Sequence, residues 1–236
     1  MNLTKPITDV GNALECLMYC NRAYGDTTYK TDKAHFNITQ LENCIVIAAR
    51  GSWDAVDWIN DCEMLFTDTI YGEVHTGFWD STATILGDIH AALRARPVLP
   101  IVATGHSLGG DQVSITALDL ITTKFPVDRV ITFGAARPGG GDFKQSYDRQ
   151  LGEKTCCWVD ARDIVPRLPF TELGYVGVGQ MAFLPSAGGV IVNPTGWEML
   201  HDDIVGAVND IKSGQVNLIS DHELSHYQDR IIKLTR

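Results

Sequence analysis

The chain of 236 residues lacks any apolar run approaching the roughly 20 residues that a membrane-spanning helix requires. No transmembrane segment is therefore expected. Basic residues are scarce, with 19 Lys and Arg against 29 Asp and Glu, for a net charge of −10. Phosphate backbones are held by concentrated Lys and Arg, so no nucleic-acid partner is expected. The same charge gives no pull toward anionic membranes, while contact with neutral lipid stays open. The N-terminus, Met1-Asn2-Leu3-Thr4-Lys5-Pro6, lacks the basic start and long apolar run of a signal peptide. The chain reads as cytoplasmic or as numbered in a mature secreted form, and its localisation is otherwise unknown. Cys16, Cys20, Cys44, Cys62, Cys156 and Cys157 show no paired zinc-knuckle spacing, so no metal site is expected. Buried free thiols are the plain reading, and disulfides would require export. Internal repeats, low-complexity tracts and linkers are also missing. A hydrophobic content of 44% and a charged content of 20% fit an ordinary globular chain, read as one domain over 1–236.

What is present centres on the stretch from Val98 to Leu118. Val98, Leu99, Ile101, Val102 and Ala103 form an apolar run interrupted by Pro100. Gly105-His106-Ser107-Leu108-Gly109-Gly110 follows, and then Val113, Ile115, Leu118 and Ile121 at helical spacing. A buried strand, a glycine-rich corner and a helix fit this order. The corner reads G-x-S-x-G, in which glycines flanking a serine allow a sharp turn that exposes the hydroxyl above a sheet edge. A hydroxyl there can attack a carbonyl, and the amide of Leu108 can donate to the oxyanion that results.

Other segments alternate in the same way. Helical spacing covers residues 6–24, the run from Phe78 to Leu93, and residues 198–212 and 221–235. Short apolar runs at 43–49, 129–133 and 155–160 suit buried strands, with later strands or a hairpin at 175–184 and 189–192. Strands alternating with helices predict a mainly parallel sheet covered by helices on both faces. After Arg50-Gly51-Ser52, the residues Trp53, Val56, Trp58 and Ile59 stand among Asp54, Asp57 and Asp61. That segment reads equally as a helix packed on the body or as a flap over a site.

A serine hydroxyl is a poor nucleophile at neutral pH, so it needs a base and the base needs an orienting acid. The histidines beyond Ser107 are His201, His222 and His226. Asp163 follows a predicted strand and precedes a proline-bearing loop, whereas its rival Asp160 falls within the strand. His106 and His75 read as packing or hydrogen-bonding residues. Ser220 and Glu223 have the spacing of a capping box, which would put His222 in a first helical turn and His226 one turn further on.

These pieces together resemble the class 3 lipases, the fungal-type triacylglycerol lipase family with an α/β-hydrolase fold. The matching segments are Arg50-Gly51-Ser52, Asp57-Trp58-Ile59-Asn60-Asp61, His75-Thr76-Gly77-Phe78 and the Gly105–Gly110 corner. Phe133-Gly134-Ala135-Ala136-Arg137-Pro138-Gly139, Asp163 to Pro169, and Asp221-His222 with Tyr227 complete the set. The resemblance implies Ser107 as nucleophile, Asp163 as acid and His222 as base. It further implies that Ser52 supports the oxyanion hole with the Leu108 amide, and that a lid begins at Trp53. One departure is Asp111, where the family's corner usually continues with alanine. Its plain reading is a carboxylate favourable to the helix dipole. The implied reaction is hydrolysis of lipid esters through an acyl-enzyme, without metal or cofactor, in solution or at a lipid–water interface. A short-chain esterase, a phospholipase, a polyester depolymerase and a catalytically silent hydrolase-fold binding protein are the alternatives.

Overall fold

The computed structural model describes residues 1–25, 27–51, 65–213 and 220–235. In chain order the chain begins with helix α1 (Val10–Gly25) and strands β1 (Tyr29–Lys30), β2 (His35–Gln40) and β3 (Ile45–Ala49). A hairpin of β4 (Phe66–Thr69) and β5 (Gly72–His75) leads into helices α2 (Thr76–Ala83) and α3 (Leu86–Arg94). Strand β6 (Ile101–His106), helix α4 (Leu108–Thr122), strand β7 (Val127–Phe133), helix α5 (Gly141–Leu151) and strand β8 (Thr155–Asp160) alternate through the middle of the chain. Strands β9 (Gln180–Leu184) and β10 (Ile191–Val192) precede the closing helices α6 (Gly196–Ser213) and α7 (Leu224–Lys233).

The main sheet runs β1-β2-β3-β6-β7-β8-β9-β10. Neighbours from β3 to β9 are parallel, and antiparallel pairs close both edges. Both faces are covered, which explains why β3 is apolar throughout and why β6, β7 and β8 are buried at nearly every position. In β3, Ile45, Ile47 and Ala49 pack with Phe78, Ile89 and Val113 from α2, α3 and α4, while Val46 and Ala48 pack with Cys16, Leu17 and Tyr227 from α1 and α7. Trp158 of β8 is fully buried in the second layer, and its truncation to alanine would cost about 3–5 kcal/mol. This is the mainly parallel α/β sheet that the alternation predicts.

Several boundaries differ from the sequence reading for local reasons. Helix α1 starts at Val10 because Asp9 Oδ1 accepts from Asn12 N–H at 2.9 Å, supplying a cap that Pro6 does not. Strand β6 begins after Pro100, which has no N–H to give a sheet, and Val98 is 88% exposed rather than part of a buried strand. The run from Phe78 to Leu93 is two helices broken at Thr84 and Ile85. Residues 175–179 lie outside β9, while 191–192 do form the expected hairpin partner.

Candidate active site

The corner after β6 has the geometry its glycines predict. Ser107 caps the start of α4 with φ 57° and ψ −135°, a conformation that costs a non-glycine residue about 1–3 kcal/mol. The surroundings impose it: Ser107 N–H donates to Phe133 O at 3.0 Å, and Ser107 O accepts from Gly110 N–H at 2.8 Å. At Gly105 a Cβ would collide with the backbone of Gly109, so only glycine lets the strand and helix close on each other. Gly51, just past β3, approaches in the same way, since a Cβ there would lie 2.9 Å from Ser107 Cβ. The chain leaving β3 therefore passes directly beside the serine.

Three side chains from distant parts of the sequence meet at this corner. His222 Nε2 lies 2.8 Å from Ser107 Oγ, and His222 Nδ1 lies 2.8 Å from Asp163 Oδ2. Because a carboxylate oxygen only accepts, Nδ1 carries the proton and Nε2 is free to accept from the serine hydroxyl. Asp163 is fully buried, and the rest of its bonding capacity is satisfied. Its Oδ1 accepts from Val165 N–H at 2.8 Å, and its Oδ2 also accepts from Tyr227 O–H at 2.7 Å. A buried carboxylate with every oxygen bonded stays in place, and such an arrangement can stabilise an imidazolium at His222.

His106 fills the structural role read from sequence, and it does so on His222 itself. His106 Nε2 lies 2.7 Å from the backbone O of His222, an acceptor, so Nε2 is the N–H donor. Nδ1 then accepts from Tyr24 O–H at 2.8 Å. Burial, aided by His222, pushes the His106 pKa down to about 3, which keeps this bridge neutral. The two imidazoles stack with centroids 4.8 Å apart. His75 is likewise structural: it is buried, accepts from Gly77 N–H at 3.1 Å, and stacks on Phe78.

The expected capping box does not form as read. Ser220–His222 make a 3-10 turn, α7 starts at Leu224, and Glu223 occupies the cap position without a side-chain cap bond. His222 thus lies before the helix rather than in its first turn. His226, read as a surface or packing residue, joins an ion cluster instead: its Nε2 is 3.5 Å from Asp160 Oδ2 and its Nδ1 3.7 Å from Asp221 Oδ1.

Leu108 opens α4, so its amide belongs to the group of N–H donors that a helix ladder leaves without an internal partner. Ser52, Trp53, Val56, Trp58 and Ile59 lie outside the described residues. Asp111 is buried, and its Oδ2 accepts from Ala136 N–H in the loop after β7, at 3.2 Å. The bonds of Tyr227 and Tyr24 to this group of side chains were not read from the sequence. Tyr227 stood only as a matching residue, and no spacing rule ties a tyrosine to an acid 64 residues away.

A sequence model of the class 3 lipases matches residues 46–173, more than half of the chain. The chain belongs to the class 3 lipase family. Among the family's relatives it is similar to secreted mono- and diacylglycerol lipase A of Penicillium cyclopium, with 24% identity over 190 residues, 77% of this chain and 61% of that one. It is also similar to secreted mono- and diacylglycerol lipase 1 of Fusarium solani, with 36% identity over 138 residues, 56% of this chain and 41% of that one. This class 3 lipase chain therefore spans only about 61% and 41% of the length of these two relatives. Its fold superimposes on the triacylglyceride lipase of Rhizomucor miehei with a TM-score of 0.65 at 23% identity, covering 73% of this chain and 79% of that one.

Proposed function

We propose that this chain is a serine carboxylic-ester hydrolase acting on lipid esters, with residues 1–236 working as one catalytic domain. The observation that carries the reading is the continuous relay from Ser107 Oγ through His222 to Asp163, each step 2.8 Å long. In this reading Ser107 attacks the ester carbonyl while its proton passes to His222 Nε2. The Leu108 amide receives the oxyanion, and Ser52, next in sequence to Gly51, seconds it. His222 then gives its proton to the leaving alcohol. Water repeats the sequence on the acyl-enzyme and releases the acid, so no cofactor enters.

The deciding experiment is Ser107→Ala with hydrolysis of a chain-length series of esters. A loss on the order of 10⁶ in turnover with an unchanged fold is expected, as is labelling of Ser107 by an organophosphonate. Full activity in the folded alanine variant would overturn the reading. A smaller effect is expected for Ser52→Ala, at most roughly 10²–10³, because the backbone amide remains.

Action at a lipid–water interface has a specific support. Trp197, Leu200 and Ile204 share one face of α6 at spacings of three and four, and they are 80%, 47% and 57% exposed. The sequence adds the apolar set Trp53, Val56, Trp58 and Ile59, which follows β3 in the chain. Apolar side chains held in water gain free energy at an oily surface. Activity that rises sharply once substrate passes its solubility limit supports this. Smooth saturation across that limit would favour a soluble short-chain esterase.

A further inference from the structure

A cavity of about 420 Å³ lies beside the catalytic corner without including it. Arg137, Val159, Val178, Met181 and Met199 are among the residues that line it, and Ser107, Asp163 and His222 are not. The loop after β7 separates the two spaces. Gly134 faces the triad, where a Cβ would lie 2.8 Å from Asp163 Oδ2, and the residues from Ala135 to Pro138 line the cavity. Met181 and Met199 pack against Val159 and its neighbours, so β8, β9 and α6 supply an apolar wall. The volume falls in the range of small-molecule sites, which are mostly apolar with a few polar groups that orient the ligand.

One charge on that wall is uncompensated. Arg137 is half-buried, and its Nη1 donates to Arg167 O at 2.7 Å and to Pro169 O at 3.0 Å. Its Nε and Nη2 have no hydrogen-bond partner among the described residues, and neither is sealed from solvent. The other ionisable groups of the lining are committed or uncharged. Lys144 pairs with Asp148 at 2.6 Å, and Arg167 pairs with Asp203 through both carboxylate oxygens. Asp111 is 1% exposed, and burial pushes its carboxyl well above the usual carboxylate range. Burial likewise lifts the Cys157 thiol to about 11. Burial also presses the pKa of Arg137 down, and Arg167 adds to this, while Glu172 opposes it from an exposed position without forming an ion pair. A guanidinium stays charged even so, and an anion seated on it relieves both pressures.

We propose that this cavity binds an aliphatic carboxylate, with its head on the free edge of the Arg137 guanidinium and its chain along Val178, Met181 and Met199. Nε and Nη2 form one edge of a planar fork, and their two parallel N–H bonds match the two oxygens of a carboxylate. A neutral alcohol would leave the charge uncompensated, and an ammonium would add a second one. The apolar wall takes the chain and gives no such place to a small, strongly hydrated anion. Ester hydrolysis releases a carboxylate of this kind, but the binding does not depend on that reaction.

The test is calorimetric titration of octanoate and of 1-octanol into the Ser107→Ala protein and into that protein carrying Arg137→Gln, Arg137→Lys or Met199→Trp. Binding is read without turnover, so the outcome stands apart from whether the chain hydrolyses esters. Octanoate is expected to bind at least about tenfold more tightly than octanol, the worth of a charge-assisted hydrogen bond. Arg137→Gln is expected to abolish that preference while octanol binds within about threefold of the parent, because only the charged contact is lost. Arg137→Lys keeps the charge but not the fork, so the preference should shrink to about threefold. Met199→Trp fills the cavity and is expected to weaken both ligands at least about tenfold, which a carboxylate seated at the catalytic corner would not show. The proposal fails if octanoate does not bind, if octanol binds as tightly, if the preference survives Arg137→Gln or is undiminished in Arg137→Lys, or if Met199→Trp leaves both affinities unchanged. Should Arg137→Gln not fold, the lysine and tryptophan variants carry the same decision.

Discussion

Two acid–histidine pairs stand side by side at the end of β8, and only one of them has the short, aligned geometry that proton transfer needs. Asp163 meets His222 at 2.8 Å, and both are nearly sealed from solvent. Asp160, three residues earlier, meets His226, four residues later, at 3.5 Å, and that imidazole is 31% exposed. Asp163 is held by directed bonds from Val165 N–H, Tyr227 O–H and His222, which fix which atom carries each proton. Asp160 Oδ2 instead sits between His226 and Arg230, each 3.5 Å away, in a charge cluster without hydrogen-bond geometry. Coulomb attraction falls slowly with distance and tolerates poor alignment, while proton transfer does not. Similar residues three and four apart thus make a hydrogen-bonded chain in one case and a charge cluster at α7 in the other. Tyr227 joins the two, because its hydroxyl donates to Asp163 and accepts from Asp160 N–H at 3.0 Å.

The sharpest way to break this contrast is to remove each histidine in turn. His222→Ala is expected to lower turnover by a factor on the order of 10⁶ with the fold intact, whereas His226→Ala costs less than about tenfold. The reverse ranking, measured on folded proteins, would mean that the pairs have been given the wrong roles. Asp163→Asn comes next, with an expected loss of about 10⁴ in kcat because the amide can favour the wrong imidazole tautomer. Asp160→Asn, assayed in parallel, should leave kcat within about tenfold and lower stability instead, as expected when one member of a buried charge cluster is removed.

Tyr227→Phe tests the link between the pairs. It removes a donor from Asp163 and leaves the Asp160 N–H without its acceptor, so a loss of about 1–3 kcal/mol in urea unfolding is expected. A kcat decrease of roughly tenfold, about the value of one hydrogen bond, should accompany it with KM unchanged. A stability loss with no change in kcat would assign Tyr227 to anchorage alone.

The smallest expected effect is the pH dependence of His226. Its pKa is raised above 6.5, chiefly by Asp160, with Asp221 adding to the shift against burial. A histidine whose folded pKa is raised adds stability fully below the unfolded value, and loses it as pH rises through the folded one. The melting temperature of His226→Gln should therefore fall furthest below the parent near pH 5.5 and converge with it near pH 9. A gap that stays constant across that range would show that the contact carries no titrating charge.

Much of this molecule was legible in its residues. The Gly105–Gly109 corner, the doubly buried strands and the alternation of strands with helices all follow from turn stereochemistry and short-range periodicity. These operate over a few residues, so Ser107 stood out as the candidate nucleophile without any tertiary knowledge. Asp163 and His222 were legible through motif resemblance, but their meeting was not, because they lie 59 residues apart and His222 lies 115 from Ser107. The capping pattern at Ser220 and Glu223 misled because a local preference worth about 1 kcal/mol yielded to contacts that seal His222 against His106 and Ser107. Asp111 shows the same division. The sequence marked it as a carboxylate in the first turn of a helix, and only the loop after β7, through Ala136 N–H, decided which oxygen is satisfied and which is left without a partner. Local chemistry determined the elements and the reactive groups. The closure of long loops through side-chain packing determined which of those groups touch.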